Sequence, residues 1–136
     1  MKVIVFEQWD RLMAKFRAVA KGSADEMSRY SICRVQPKGG VARLSDRAMN
    51  QLALAGGRTT VSVPDIVPGK ARDFVLRVTA EGENELAFAG AEAFEGDDAN
   101  ALAPPADGET VVYVFTEVAA DVFFVTRKAV ARIGAE

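Results

Sequence analysis

Histidine is absent from this sequence of 136 residues, and cysteine occurs once, at Cys33. Histidine is the side chain that most often moves protons near neutral pH, so its absence removes the commonest general acid or base of enzymes. A single cysteine cannot form an internal disulfide, and we expect Cys33 to be a small, half-buried residue rather than a reactive thiol. No serine lies in the strained strand-to-helix turn of a nucleophile elbow. The sequence therefore predicts a protein that is not an enzyme.

Long apolar runs and a basic excess are missing as well. No stretch approaches the roughly 20 apolar residues of a membrane-spanning helix, and Glu7 interrupts the apolar start at a length too short for a signal peptide. The 17 basic and 19 acidic side chains give a net charge of −2, which does not suit a nucleic-acid partner. The hydrophobic share of 49% is normal for a globular chain. We expect one soluble domain with a short appendage, without a membrane or nucleic-acid partner, assembled in a cytoplasm.

The first part of the chain has helical periodicity. Apolar side chains recur at alternating spacings of three and four between residues 6 and 20, namely Phe6, Trp9, Met13, Phe16 and Ala20. This pattern predicts an amphipathic helix that ends near Gly22. So short a helix is marginal alone and needs a surface to pack on. Two alternatives remain open: the helix lies across the chain's own sheet, or it pairs with copies of itself in an oligomer stalk, because the same spacing forms a coiled-coil seam.

After a loop at residues 36–40 the period changes to two, which is typical of strands. We predict a mainly β fold, a small antiparallel β-sandwich of about six strands preceded by the N-terminal amphipathic helix. Residues 1–36 would form the helical lead-in, an attachment or oligomerisation segment, and residues 41–136 the antiparallel β domain. Gly56 and Gly57 would turn the first two strands into a hairpin. The predicted core consists of Leu52, Leu54, Val61, Phe74, Leu76, Val78, Leu86, Phe88, Val112, Val114 and Phe124.

The runs at residues 111–116 and 122–126 are apolar on both faces. A half-solvated antiparallel strand normally alternates between apolar and polar side chains, so these strands either lie in the middle of the sandwich or face a neighbouring subunit. Identical subunits usually close such an interface by symmetry. The sequence therefore predicts a homo-oligomer, and its candidate interface residues are Phe6, Trp9, Met13, Phe16, Tyr113, Phe115 and Phe123.

An acidic loop at residues 90–108 contains the one weak candidate for a metal site. Glu95, Asp97, Asp98 and Asn100 place four oxygen-bearing side chains around the flexible Gly96. Calcium prefers such ligands, but the spacing is not that of the twelve-residue calcium loop, so a solvated turn without a metal is the favoured interpretation.

One charged pair also stands beside apolar strands. Arg72 and Asp73 precede one strand and Glu117 ends another, so an ion pair between these positions would fix a turn. A pair within the chain is favoured over a pair across a subunit interface. As an exposed pair it would contribute roughly 0–1 kcal/mol to stability.

Several blocks of the β half, in this order, resemble the β domain of phage and prophage virion proteins of the tail-fibre or head-fibre type. The resemblance covers about residues 45–130. The blocks that carry it are residues 46–50 (DRAMN), 69–77 (GKARDFVLR), 94–98 (FEGDD), 101–104 (ALAP), 108–117 (GETVVYVFTE) and 122–128 (VFFVTRK).

The resemblance implies a structural role without catalytic residues and without a cofactor. The expected function is that of a non-enzymatic virion component, a fibre, decoration or collar and adaptor protein, which mediates attachment. The expected partners are other virion proteins and further copies of the chain, in a trimer because phage fibres are commonly trimeric. The expected location is the virion, assembled in the host cytoplasm. The alternative is a carbohydrate- or ligand-binding β-sandwich module of bacterial origin, although Trp9 and Tyr113 are more typical of core positions than of sugar platforms.

Overall fold

The computed structural model describes residues 31–131. This part of the chain forms nine strands in two sheets. The strands are β1 (Ser31–Arg34), β2 (Val41–Arg43), β3 (Ala48–Leu54), β4 (Gly57–Ser62), β5 (Asp73–Ala80), β6 (Asn84–Ala89), β7 (Ala93–Gly96), β8 (Thr110–Ala119) and β9 (Val122–Ala129). The large sheet has the order β1-β3-β5-β8-β9-β7, and the small sheet has the order β2-β4-β6. The prediction of a mainly β fold is confirmed, and the predicted N-terminal helix lies outside the described residues.

The first six strands alternate between the two sheets. β1, β3 and β5 are parallel neighbours in the large sheet, and β2, β4 and β6 are parallel neighbours in the small one. Parallel neighbours need a crossover connection, which is usually a helix. Here a strand of the opposite sheet makes the crossover, so the chain winds as in a short parallel β-solenoid. The predicted hairpin at Gly56 and Gly57 is therefore wrong, because β3 and β4 belong to different sheets and meet at a corner.

The last three strands end this winding. β8 pairs antiparallel with both β5 and β9, whereas β7 pairs parallel with β9 at the far edge of the large sheet. The β8–β9 hairpin thus lies between β5 and β7. The large sheet is mixed and the small sheet is parallel. Five of the seven strand pairings within residues 31–131 are parallel. The predicted antiparallel pairing holds for β5–β8 and β8–β9 and is wrong elsewhere. The predicted strand number was also too low, because β1, β2 and β7 are only three or four residues long.

One buried core joins the two sheets. Of the predicted core residues, Leu52, Leu54, Val61, Phe74, Leu76 and Val78 lie in it, and Leu86 and Phe88 are half-buried against it. For the β8–β9 hairpin, the prediction placed the wrong face of each strand in the core. The side chains of β8 and β9 that enter the core are Val111, Tyr113, Phe115, Phe123 and Val125. Because alternate side chains point to opposite faces, Val112, Val114 and Phe124 belong to the outer face of the large sheet, where Val114 is nevertheless buried.

A buried asparagine fixes the corner before β3. Asn50 is fully buried, and its Oδ1 accepts a hydrogen bond from the Ser45 backbone N–H at 2.9 Å. Its Nδ2 donates to the carbonyls of Ser45 and Val75, at 3.1 and 3.2 Å. The Asn50 side chain thus satisfies backbone N–H and carbonyl groups of Ser45 and Val75 that would otherwise lack a hydrogen-bond partner at the corner.

Candidate functional site

The connection from β4 to β5 projects from the fold as a loop of residues 64–71, which we call the interaction loop. Its tip is a turn in which the Lys70 N–H donates to the Val67 carbonyl at 3.1 Å. Pro68 and Gly69 occupy the central positions, and the φ of +78° at Gly69 is the left-handed value that a type II turn requires there. Ile66 and Val67 are 57% and 41% exposed. The loop therefore presents two apolar side chains to solvent on a defined turn.

A buried arginine fastens the base of this loop. The Arg72 side chain is 1% exposed, and its Nη1 donates to the Pro64 carbonyl at 2.6 Å. Its Nε and Nη2 donate to the two carboxylate oxygens of Glu117, at 3.2 and 2.9 Å, and Nη2 also donates to Asp121 Oδ1 at 3.0 Å. The guanidinium lies 4.7 Å from the centre of the Phe123 ring. Planar, forked and polarisable, arginine suits both the bidentate carboxylate and the aromatic face.

Glu117 is as closely bound as the arginine. Besides the side-chain bonds, it accepts hydrogen bonds from the backbone N–H groups of Arg72 and Asp121, at 2.9 and 2.7 Å. The hydrogen bonds from the Arg72 side chain are the main reason why the pKa of Glu117 falls from its ordinary value of 4.5 to about 2, against an opposing effect of burial. The carboxylate is therefore ionised throughout the ordinary pH range.

Asp121 connects the same cluster to a further loop. It occupies the turn between β8 and β9 with a φ of 59°, a left-handed conformation that aspartate tolerates better than most residues. Its carboxylate and its carbonyl both accept from the Glu92 N–H, at 2.9 and 3.0 Å, and the carbonyl also accepts from Ala93 at 3.3 Å. Arg72, Glu117 and Asp121, which we call the arginine anchor, thus join three connections at one end of the fold.

The predicted ion pair between Arg72 and Glu117 is confirmed within the chain, at 2.9 Å. Its predicted exposure is wrong, because the loop and the hairpin enclose the guanidinium. The roles of Asp121 and of the Pro64 carbonyl were not predicted from the sequence. An aspartate four residues after Glu117, at the tip of an expected hairpin, was an available signal for the first. No sequence signal marks a backbone carbonyl.

The weak metal candidates lie around two neighbouring depressions that share Asp97 and Asp98. Glu95 borders the first, an open depression of about 380 Å³. Asn100 borders the second together with Arg127, and Asp98 Oδ1 already accepts from the Asn100 backbone N–H at 2.7 Å. Within residues 31–131 no group of three or more acidic or cysteine side chains is arranged to hold a metal ion.

The aromatic interface candidates of the hairpin lie inside the chain. Tyr113, Phe115 and Phe123 are fully buried in the core, so they have no surface to offer a second subunit. They were interface candidates because both faces of β8 and β9 are apolar and the period of two did not identify the inner face. Tyr113 donates its hydroxyl to the Ala103 carbonyl, and because the residue is fully buried its ring has no open face for a sugar. The other candidates, Phe6, Trp9, Met13 and Phe16, lie outside the described residues.

Comparison of the chain with protein-family models, with curated proteins and with solved structures found no match. Residues 31–131 contain no helix of the length and apolarity that crossing a bilayer requires. The geometry of the interaction loop and its anchor is therefore the main structural basis for a functional proposal.

Proposed function

We propose that this chain is a non-enzymatic structural component of a phage-type virion, a small two-sheet sandwich that assembles with copies of itself and mediates attachment. The sequence resemblance over about residues 45–130 supports the class of protein. The exposed apolar tip of the interaction loop, on a base fixed by the arginine anchor, supports a role in protein contacts.

An exposed apolar tip on a fixed base is suited to binding. Ile66 and Val67 are two of the four large hydrophobic side chains that residues 31–131 leave exposed. Burying them against a partner would remove apolar surface from water, which favours association by about 25 cal/mol per Å². A loop that is already ordered loses less conformational entropy on binding than a mobile one. The arginine anchor supplies this order, because Arg72 joins Pro64, the first residue of the loop, to Glu117 of β8.

The partner at this loop is a second copy of the chain in our proposal. Copies of one chain usually close into a ring of cyclic symmetry, and the resemblance to phage fibres favours a trimer. Other virion proteins would bind the assembled trimer, and the protein would reside in the virion after assembly in the host cytoplasm.

Ile66→Asp tests the loop directly. The substitution places a charge where the proposal requires an apolar contact, and it alters a side chain that is 57% exposed, so the fold should be unaffected. Sedimentation velocity should show oligomers for the wild-type chain and monomers for Ile66→Asp. Val130→Asp is the matched control, because Val130 is also apolar and 39% exposed but lies directly after β9, outside the interaction loop. Oligomers of equal size in Ile66→Asp and Val130→Asp would refute the role of the loop.

A further inference from the structure

The outer face of the large sheet, opposite the core, carries a continuous row of side chains. Strand register places Ile32, Met49, Val75, Val114 and Thr126 side by side on β1, β3, β5, β8 and β9. We call this set the outer row. Strand alternation directs its members away from the small sheet, which packs on the other face. Within residues 31–131 no strand lies over the outer row, since both sheets are accounted for.

The centre of the outer row is nevertheless buried. Val75 and Val114 are 1% and 2% exposed, yet neither belongs to the core between the sheets. Ile32, at the edge of the same row, is 59% exposed. On a sheet face with nothing packed over it, the side chains of neighbouring strands flank a valine but leave the end of its side chain exposed to solvent. Burial of the middle of the row, but not of its edge, therefore indicates a cover over β5 and β8.

We infer that residues 6–20 of the same chain supply this cover, with the apolar stripe that includes Trp9 and Phe16 packed on Val75 and Val114. The chain enters the described fold at Ser31, on the edge strand of the large sheet, so the preceding segment starts beside this face. The spacing of the stripe predicts a short amphipathic helix, and such a helix is stable only when its apolar side is covered.

The dimensions agree with this placement. A helix of the 15 residues from 6 to 20 would be about 22 Å long at about 1.5 Å per residue. The outer row crosses five strands, which at about 4.8 Å between neighbours is about 19 Å wide. The ten residues from 21 to 30 can span at most about 33 Å, which is enough to connect either end of the row to Ser31. One helix thus has the length to cover the face and a connection that reaches it.

Trp9 makes the inference testable, because it is the one tryptophan of the chain and lies in the stripe. In the full-length protein its fluorescence should be blue-shifted and weakly quenched by acrylamide. The measurement should be made on Ile66→Asp if the wild-type chain is oligomeric, after light scattering has shown that this variant is a monomer. Protection of Trp9 in a monomer requires a cover from the same chain. This inference does not depend on the proposed function, since it applies equally to a chain that never assembles.

Val75→Asp should release the segment: Trp9 emission shifts to the red and the quenching constant rises several-fold, while circular dichroism still shows β structure. Thr79→Asp is the matched control, on the same strand and the same face but exposed, and it should leave Trp9 protected. Phe16→Asp changes the other side of the contact and leaves the sheet intact, so it should expose Trp9 even if Val75→Asp fails to fold. Accessible Trp9 in a folded monomer would overturn the inference. So would protection that disappears on dilution, because a second copy would then be the cover.

Discussion

Replacing Glu117 by glutamine should destabilise the fold in a strongly pH-dependent way. Glutamine has the shape of a protonated glutamate and lacks the charge that the buried Arg72 guanidinium requires. A fall of the Glu117 pKa from 4.5 to about 2 corresponds to about 3 kcal/mol, at about 1.4 kcal/mol for each tenfold change in proton affinity. Glu117→Gln should therefore lower the free energy of unfolding by about 3 kcal/mol near neutral pH.

The sign of the pH dependence follows from the direction of the pKa change. Because folding lowers the pKa of Glu117, its stabilising effect is complete above pH 4.5 and is lost as the pH falls toward about 2. The difference in stability between the wild-type chain and Glu117→Gln should shrink through the same window, since protonated glutamate and glutamine are nearly equivalent. Urea unfolding followed by circular dichroism, repeated at several pH values, measures this difference.

Glu109→Gln is the matched control. Glu109 also accepts a hydrogen bond from an arginine, Arg127, at 3.3 Å, but their side chains are 33% and 22% exposed. We expect this variant to lose less than about 1 kcal/mol, as half-exposed pairs usually do. Equal effects of the two substitutions, or a Glu117→Gln effect that does not change between pH 5 and pH 3, would refute the reasoning on the arginine anchor.

Three further substitutions test other parts of the structure. Asn50→Asp should destabilise the fold more than Asn50→Ala in thermal unfolding, because a buried carboxylate would face the Ser45 and Val75 carbonyls; the opposite order would contradict the hydrogen bonds assigned to Asn50. Gly96→Ala should cost about 1–3 kcal/mol in urea unfolding, because its Cβ would lie 2.6 Å from the Ala101 Cβ. Adding Ala101→Gly should restore part of that loss, and strict additivity of the two changes would exclude the clash. At a protein concentration where light scattering shows both chains as monomers, Ile66→Asp should leave the free energy of unfolding within about 0.5 kcal/mol of the wild-type value, as surface substitutions usually do; a larger change would place Ile66 in a packed contact of the single chain.

The period of two predicted where most strands lie but not which strands pair. A strand has the same alternation of apolar and polar residues whether its neighbour is parallel or antiparallel, because alternation shows only which residues share a face. The turn at Gly56 and Gly57 accordingly indicated a hairpin, although glycines serve a corner between sheets equally well. β7 was missed because its four residues, AFEG, are too few to show alternation. Parallel winding depends on contacts between residues far apart in sequence, which local patterns do not record.

The ion pair of the candidate site could be predicted from the sequence, but the burial of its arginine could not. Charges at the start of β5 and near the end of β8 were correctly paired as Arg72 and Glu117, because both stand beside apolar strands and have opposite signs. Burial of Arg72 depends on how the interaction loop and the β8–β9 turn fold over it. No local sequence pattern predicts that arrangement. The phase of β8 and β9 failed for a different reason: with both faces apolar, Val112 and Tyr113 were equally good core candidates.

The mass of the wild-type chain in solution tests the proposed assembly most directly. Light scattering after size exclusion, at micromolar protein concentration, should give three times the 14.6 kDa of a single chain. A stable monomer of 14.6 kDa under these conditions would contradict the proposal that this protein is a self-assembling virion component.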